Sequence, residues 1–107
     1  METEIAPSSY KLIVTIVNKG KSGKVLDVSH GAGAVGGTVL FGHGSAVRLL
    51  LGISIDPEKE IVFIIVEEEK AKKVLDAIVK ELQLDRPHRG IAFILSIDRV
   101  EGLGEYD

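Results

Sequence analysis

The chain has 107 residues and no cysteine, and its 13 basic and 16 acidic residues give a net charge of −3. This length suits one domain with a single core, and so small a domain gains stability by oligomerising. The charges are spread along the chain, so no basic stripe indicates a nucleic-acid partner. The missing cysteines exclude disulfide scaffolds and thiolate zinc sites. Because no apolar run approaches the roughly 20 residues of a bilayer span and the start lacks a signal core, we expect a cytoplasmic protein.

The first half of the chain predicts a tail, a strand, a short helix and a second strand. Residues 1–9 are polar and are expected to form a flexible N-terminal tail. Residues 10–17 are rich in β-branched side chains, which is typical of a strand. A helix is predicted over residues 20–30, and a second strand over residues 37–43, where a glycine pair opens the segment.

The second half predicts a strand, a well-patterned helix and a last strand. Residues 61–66 are six consecutive apolar residues and form the clearest strand of the chain. Residues 83–90 are predicted to form a loop, residues 91–97 the last strand and residues 104–107 a C-terminal tail, so the domain spans residues 10–103. Between the last two strands, apolar residues recur at the spacing of one helical face: Ala71, Val74, Leu75, Ile78, Val79 and Leu82.

This order predicts an α+β, ferredoxin-like βαββαβ sandwich. Two βαβ units build a four-stranded antiparallel sheet with both helices on one face. The strand over residues 61–66 is apolar on both of its alternating faces, and the last strand places Ile91, Phe93 and Leu95 on one face and Ala92 and Ile94 on the other. Two helices cover only one face of a sheet, so we expect copies of the chain to bury the other.

A glycine-rich segment follows the first predicted helix. Residues 31–36 match G-x-G-x-x-G, the fingerprint of dinucleotide-binding proteins. That fingerprint requires a strand before it and a helix after it, with an acidic residue about twenty positions on. Here the order of helix and strand is reversed, so the segment is interpreted as a loose connection between helix and strand.

The next motif carries a resemblance to a known family. Residues 36–44 read Gly-Gly-Thr-Val-Leu-Phe-Gly-His-Gly, and they are followed by the apolar strand, the second helix and Arg89-Gly-Ile-Ala-Phe-Ile-Leu-Ser-Ile-Asp-Arg-Val100. In this order and spacing, the chain from about residue 10 to residue 103 resembles the PII signal-transduction (nitrogen regulatory protein P-II) family. It is most similar to the divergent PII-like branch with a short T-loop.

The resemblance implies a homotrimer that needs no cofactor and binds a small effector, ATP, ADP or AMP, in clefts between subunits. By position, residues 36–38 would lie near a base or sugar and residues 42–44 at the root of the T-loop. Residues 86–90 would form the B-loop, whose amides and cations suit phosphate. The implied effector-binding residues are Gly36, Gly37, Thr38, Gly42, His43, Gly44, Arg86, His88, Arg89 and Gly90.

Two departures from the family pattern leave the adenine-nucleotide effector open. Ile91 stands where nucleotide-binding members carry a lysine, and residues 102–104 stand where they carry an arginine pair. Arg86 and Arg89 are the candidates to replace these cations, although arginine and lysine are not equivalent at such sites.

The resemblance also implies a regulated partner, a membrane transporter or a metabolic enzyme, with nitrogen metabolism as the expected context. The short T-loop contains Arg48, Leu49, Leu50 and Leu51. These residues either pack back onto the trimer or form a docking surface whose conformation the effector shifts.

Other classes of function have less support in the residues. His30, His43 and His88 are dispersed without metal-ligand spacing, so no metal site is expected. No nucleophile arrangement and no acid–base pair stands out, so we do not expect an enzyme. The alternatives that stay open are a CutA-like trimeric protein that binds divalent metals, and a ferredoxin-like enzyme or structural subunit.

Overall fold

The computed structural model describes residues 9–42 and 59–102. Within these ranges the elements follow the predicted order. They are β1 (Tyr10–Asn18), α1 (Ser22–Gly31), β2 (Thr38–Gly42), β3 (Lys59–Glu67), α2 (Glu68–Leu82) and β4 (Gly90–Ser96). The βαββαβ order of the sequence prediction is therefore confirmed.

The boundaries differ from the predicted ones by a few residues. Helix α1 begins two residues later than predicted, because Gly20 has a φ of 90° and the Lys21 N–H donates to the Asn18 carbonyl in a turn. Strand β3 is longer than its apolar run, because all nine of its residues pair with β1. Strand β4 begins one residue early, at Gly90, where it pairs with Val17, and ends at Ser96.

The four strands form one antiparallel sheet in the order β2-β3-β1-β4. Val14 at the centre of β1 lies opposite Phe63 of β3 on one side and Phe93 of β4 on the other. Thr38 of β2 also pairs with Phe63. Strands β2 and β4, which adjoin the two predicted groups of effector-binding residues, are thus the opposite edges of the sheet.

Both helices pack on one face of this sheet and form the larger core. Helix α2 buries Ala71, Val74, Ile78 and Leu82, four members of its predicted apolar face, with Leu75 packed at the margin. Helix α1 adds Val25. The strand residues that meet them are Ile13, Val17, Val62, Ile64 and Val66.

The opposite face of the sheet is also apolar. Its second core cluster contains strand residues alone, with Val14, Ile16 and Ile61 buried and Leu12, Phe63 and Phe93 partly buried. On the same face Ile65, Ile91 and Leu95 remain 39%, 49% and 43% exposed. The predicted sheet with two apolar faces is confirmed, and neither described helix packs against this second face. Neither α1 nor α2 has the length and hydropathy that crossing a bilayer requires.

A buried carboxylate joins β3 to the start of α1. Glu60 is only 7% exposed, and its Oε1 accepts a hydrogen bond of 3.0 Å from the Ser22 backbone N–H. Lys21 at the N-cap of α1 makes no side-chain capping bond. Hydrogen bonds from the Ser22 side chain and the Gly20 backbone outweigh burial and lower the pKa of Glu60 below its usual value. Glu60 therefore caps α1 from a neighbouring strand.

We expect Glu60→Ala to lower the free energy of unfolding by about 1 kcal/mol at neutral pH, because it removes the cap. Since the folded-state pKa is lowered, the contribution of Glu60 is fully present above its unfolded pKa and is lost as pH falls through the folded value. Urea unfolding of the wild type and of Glu60→Ala across the acidic pH range measures this loss of stability. Glu60→Gln serves as the uncharged control, and parallel pH profiles for all three proteins would contradict the assignment.

Candidate functional site

The two glycines before β2 have different surroundings. A Cβ on Gly37 would lie 2.8 Å from Leu26 Cδ2 and 3.1 Å from both Ile64 Cγ1 and the Phe63 carbonyl oxygen. A Cβ on Gly36 would meet nothing within 4 Å. Gly37 is therefore required by the packing of α1 against β3, whereas Gly36 faces open space beside the edge strand.

A pocket lies directly ahead of these glycines, and we call it the β2 pocket. It has a volume of about 220 Å³, and Gly33, Ala34 and Val35 line it on one side. Ile65 and Val66 of β3 line the other side. At its rim the Lys70 Nζ lies 3.4 Å from the Glu67 Oε1. An apolar recess with a few polar groups at its rim suits a flat, mostly apolar group such as a nucleobase.

Sequence reasoning missed this pocket, because residues 31–36 were interpreted as a loose connection. The available signal was Val35, a large apolar side chain among glycines and alanines, which is 89% exposed in the structure. The opposite wall comes from β3, about thirty residues further along the chain, and no local pattern indicates it.

The B-loop, residues 86–90, and the residues just before it have an unusual backbone conformation. Gln83, His88 and Gly90 have φ values of 56°, 64° and 134°. A Cβ on Gly90 would lie 2.4 Å from the Ile16 carbonyl oxygen, so only glycine fits where the loop enters β4. The Arg86 N–H donates to the Gln83 carbonyl at 3.0 Å. Arg86, His88 and Arg89 are all exposed, so the loop presents two guanidinium groups and an imidazole to the solvent.

A polar bridge ties the B-loop to the end of the sheet. The Asn18 Nδ2 donates a hydrogen bond of 3.1 Å to the His88 carbonyl oxygen. The Lys59 Nζ in turn donates to the Asn18 Oδ1. Both Asn18 and Lys59 were absent from the predicted site, since neither belongs to a recognisable motif. The bridge connects the B-loop to Lys59, the first residue of β3 and the strand partner of Gly42.

One protomer does not bring residues 36–38 and the B-loop together, whereas Gly42 pairs with Lys59 at the polar bridge. Gly36, Gly37 and Thr38 lie at the β2 edge, whereas the B-loop precedes β4 at the other edge. The β2 pocket reaches Val66 and the bridge reaches Lys59, and the intervening stretch of β3 is about 23 Å long at roughly 3.3 Å per residue. Within one protomer, a small ligand in the β2 pocket is therefore distant from the B-loop.

Part of the predicted site lies outside the described residues. Gly42 ends β2. His43 and Gly44 at the T-loop root lie outside the described ranges, as do Arg48, Leu49, Leu50 and Leu51 of the docking loop. Within those ranges no group of three histidine, aspartate or glutamate side chains is arranged to hold a metal ion.

The sequence and fold match a known protein family. The sequence pattern of the family described as "Nitrogen regulatory protein P-II" matches residues 10–104. The chain belongs to the P-II family. The resemblance found in the glycine motif and the last strand is thereby confirmed. No curated protein sequence matches the chain.

Solved structures of P-II family proteins share the fold. Arabidopsis thaliana PII bound to citrate is 16% identical with a TM-score of 0.62, and the match covers 85% of this chain and 79% of that one. A PII-like signaling protein from Thermus thermophilus is 18% identical over 89% and 90% of the two chains, with a TM-score of 0.63. CPII, a nitrogen regulatory PII-like protein from Thiomonas intermedia bound to ADP, AMP and bicarbonate, is 18% identical over 88% and 91%, with a TM-score of 0.61.

The two glycines before β2 give a matched pair of variants. We expect Gly37→Ala to destabilise the protein by roughly 1–3 kcal/mol, because the added methyl group meets a carbonyl oxygen and two packed side chains. Gly36→Ala adds the same methyl group in open space and should leave the free energy of unfolding within about 0.5 kcal/mol of wild type. Thermal and urea unfolding of the two variants measure the difference. Equal stabilities would show that α1 does not pack closely on β3 at Gly37.

Proposed function

We propose that this P-II family chain is a homotrimeric regulatory protein that binds an adenine nucleotide in clefts between protomers. The observation that carries the proposal is the separation of the β2 pocket and the B-loop at opposite edges of one sheet. A neighbouring copy that brings its β2 edge to the B-loop of the first completes a site that neither copy holds alone. The same arrangement gives one site for each protomer.

The apolar second face of the sheet supports the trimer. This face forms one continuous surface that both described helices leave uncovered. Its exposed residues are Ile65, Ile91 and Leu95. Contiguous apolar surface of this kind marks an interface. A small domain also gains stability from assembly, because it buries a limited share of its own surface.

The chemistry of the two half-sites supports a nucleotide. The β2 pocket offers apolar walls for a base, and the B-loop offers Arg86 and Arg89 for phosphate, which bind such groups through charge-assisted hydrogen bonds. Family relatives were solved with anionic ligands, the Thiomonas protein with ADP, AMP and bicarbonate and the Arabidopsis protein with citrate. The two arginines stand in for the lysine that Ile91 replaces.

The polar bridge supports a regulatory output. Gly42 and Lys59 are the described residues closest in sequence to the segment that contains Arg48–Leu51, and Lys59 is bonded through Asn18 to the B-loop. A nucleotide that binds the B-loop alters this bridge and with it the root of the T-loop. The effector thereby shifts the population of T-loop conformations, which a membrane transporter or a metabolic enzyme of nitrogen metabolism recognises in the cytoplasm. The role is binding, with no catalytic step.

Native mass spectrometry of the purified protein, alone and with ATP, ADP or AMP, tests the proposal. We expect a trimer that takes up to three copies of one nucleotide. Arg89→Ala should weaken this binding roughly tenfold, because one charge-assisted hydrogen bond to phosphate is lost. Lys73→Ala, which removes an exposed cation from α2, is the matched control and should leave binding unchanged.

Leu95→Glu separates assembly from ligand chemistry in the same experiment. It places a carboxylate on the exposed part of the apolar face and should yield a folded monomer without nucleotide, because each site needs two protomers. A monomeric wild-type protein, or a Leu95→Glu monomer that binds nucleotide as tightly as the trimer, would refute the shared-site proposal.

A further inference from the structure

A second recess lies at the end of the helical layer, and we call it the cationic recess. It has a volume of about 160 Å³, several times the space that one water molecule needs. Lys21 and Lys24 line it from the start of α1, and Arg89 lines it from the B-loop. The remaining polar side chains on its walls are those of Asn18, Glu81 and Gln83. The lining is thus polar, with three cations and one carboxylate.

The three cations lack anionic partners among the described residues. The salt bridges found there join Lys70 to Glu67, Lys72 to Asp76 and Arg99 to Glu101. No salt bridge joins Lys21, Lys24 or Arg89 to any residue that the structure describes, and Glu81 on the same wall pairs with none of them. Like charges that share a small recess repel each other, and a multivalent anion between them relieves that repulsion.

The surrounding contacts fix the backbone from which these cations extend. The Glu60 carboxylate holds the Ser22 N–H and so fixes the start of α1, where Lys21 and Lys24 lie within one turn. The Asn18 side chain holds the His88 carbonyl and so fixes the residue just before Arg89. Two independent polar contacts therefore hold the backbone of two distant segments around one recess, so an anion that binds there does not have to order that backbone.

We propose that the cationic recess is a phosphate-binding site formed within a single protomer, with Lys21, Lys24 and Arg89 as its cations. The proposal rests on the proposed function, in that it names the residues that hold the phosphate end of the bound effector. It also accounts for the departures from the family pattern. The chain has Ile91 and the glycines of residues 102–104 in place of family cations, and α1 adds two lysines beside Arg89.

The size and chemistry of the recess favour a phosphate group over a larger acidic partner. Its volume admits a compact oxyanion, whereas an acidic peptide needs an extended groove. The three cationic side chains are hydrogen-bond donors, and a phosphate has several oxygens that accept such bonds. Inorganic phosphate and the phosphate chain of a nucleotide share this chemistry, and the test below separates them.

Isothermal titration calorimetry of the full chain with pyrophosphate, ATP and adenosine tests the site. The double variant Lys21→Ala/Lys24→Ala should bind pyrophosphate and ATP roughly 100-fold more weakly, since each lost charge-assisted contact costs about tenfold. Adenosine binding should not change, because the β2 pocket holds the base. The control is Lys72→Ala/Lys73→Ala, which removes two exposed lysines of α2. They lie about 12 Å or more along the helix from Glu81, which lines the recess.

The outcomes separate this proposal from the nucleotide-sensor proposal. Pyrophosphate binding that falls in the double variant, in a protein that ignores ATP, would support the recess and refute the adenine-nucleotide effector. ATP binding that is equally tight in wild type and double variant would overturn the recess and leave the sensor proposal standing. Absence of pyrophosphate binding to wild type would likewise overturn the recess.

Discussion

The four-stranded sheet is apolar on both faces and has helices for only one of them, and the rest of the structure depends on this constraint. Helices α1 and α2 bury one face in the larger core, while Ile65, Ile91 and Leu95 remain exposed on the other. In the proposed trimer, copies of the chain cover that second face, which stabilises a small domain and brings opposite edges of neighbouring sheets together. Under this proposal, assembly and ligand binding share a single structural cause.

Polar side chains at one end of the sheet turn this scaffold into a binding surface. Glu60 fixes the start of α1, and Asn18 links Lys59 to the B-loop. These contacts join segments that are 38, 41 and 70 residues apart in the chain. Asn18 lines the cationic recess and is bonded to Lys59, the strand partner of Gly42, so an anion in the recess lies beside the bridge that joins the B-loop to β3. We thus propose that a low-identity member of the family keeps the fold while the cations around its effector come from different elements.

Periodicity and composition predicted most of the fold. The apolar run of β3 and the helical face of α2 are strong local patterns, and the order of elements followed from them, together with the second apolar face of the sheet. The site was less accessible to such reasoning. The walls of the β2 pocket come from Val35 and Ile65, whose proximity depends on how β2 and β3 pair, and the role of Asn18 depends on a contact across 70 residues. The surroundings of Gly37 give it a packing role that sequence alone does not indicate, and its place near a base or sugar stays a prediction.

The most direct test of the shared site mixes two inactive variants. One carries Val35→Glu in the β2 pocket, and the other carries Arg89→Ala with Lys21→Ala and Lys24→Ala. Neither homotrimer should retain nucleotide in native mass spectrometry. After subunit exchange, every mixed trimer has one cleft that combines an intact pocket from one protomer with intact cations from its neighbour. We predict one bound nucleotide per mixed trimer, and mixed trimers without nucleotide, formed from variants whose parent protein binds it, would contradict the shared site.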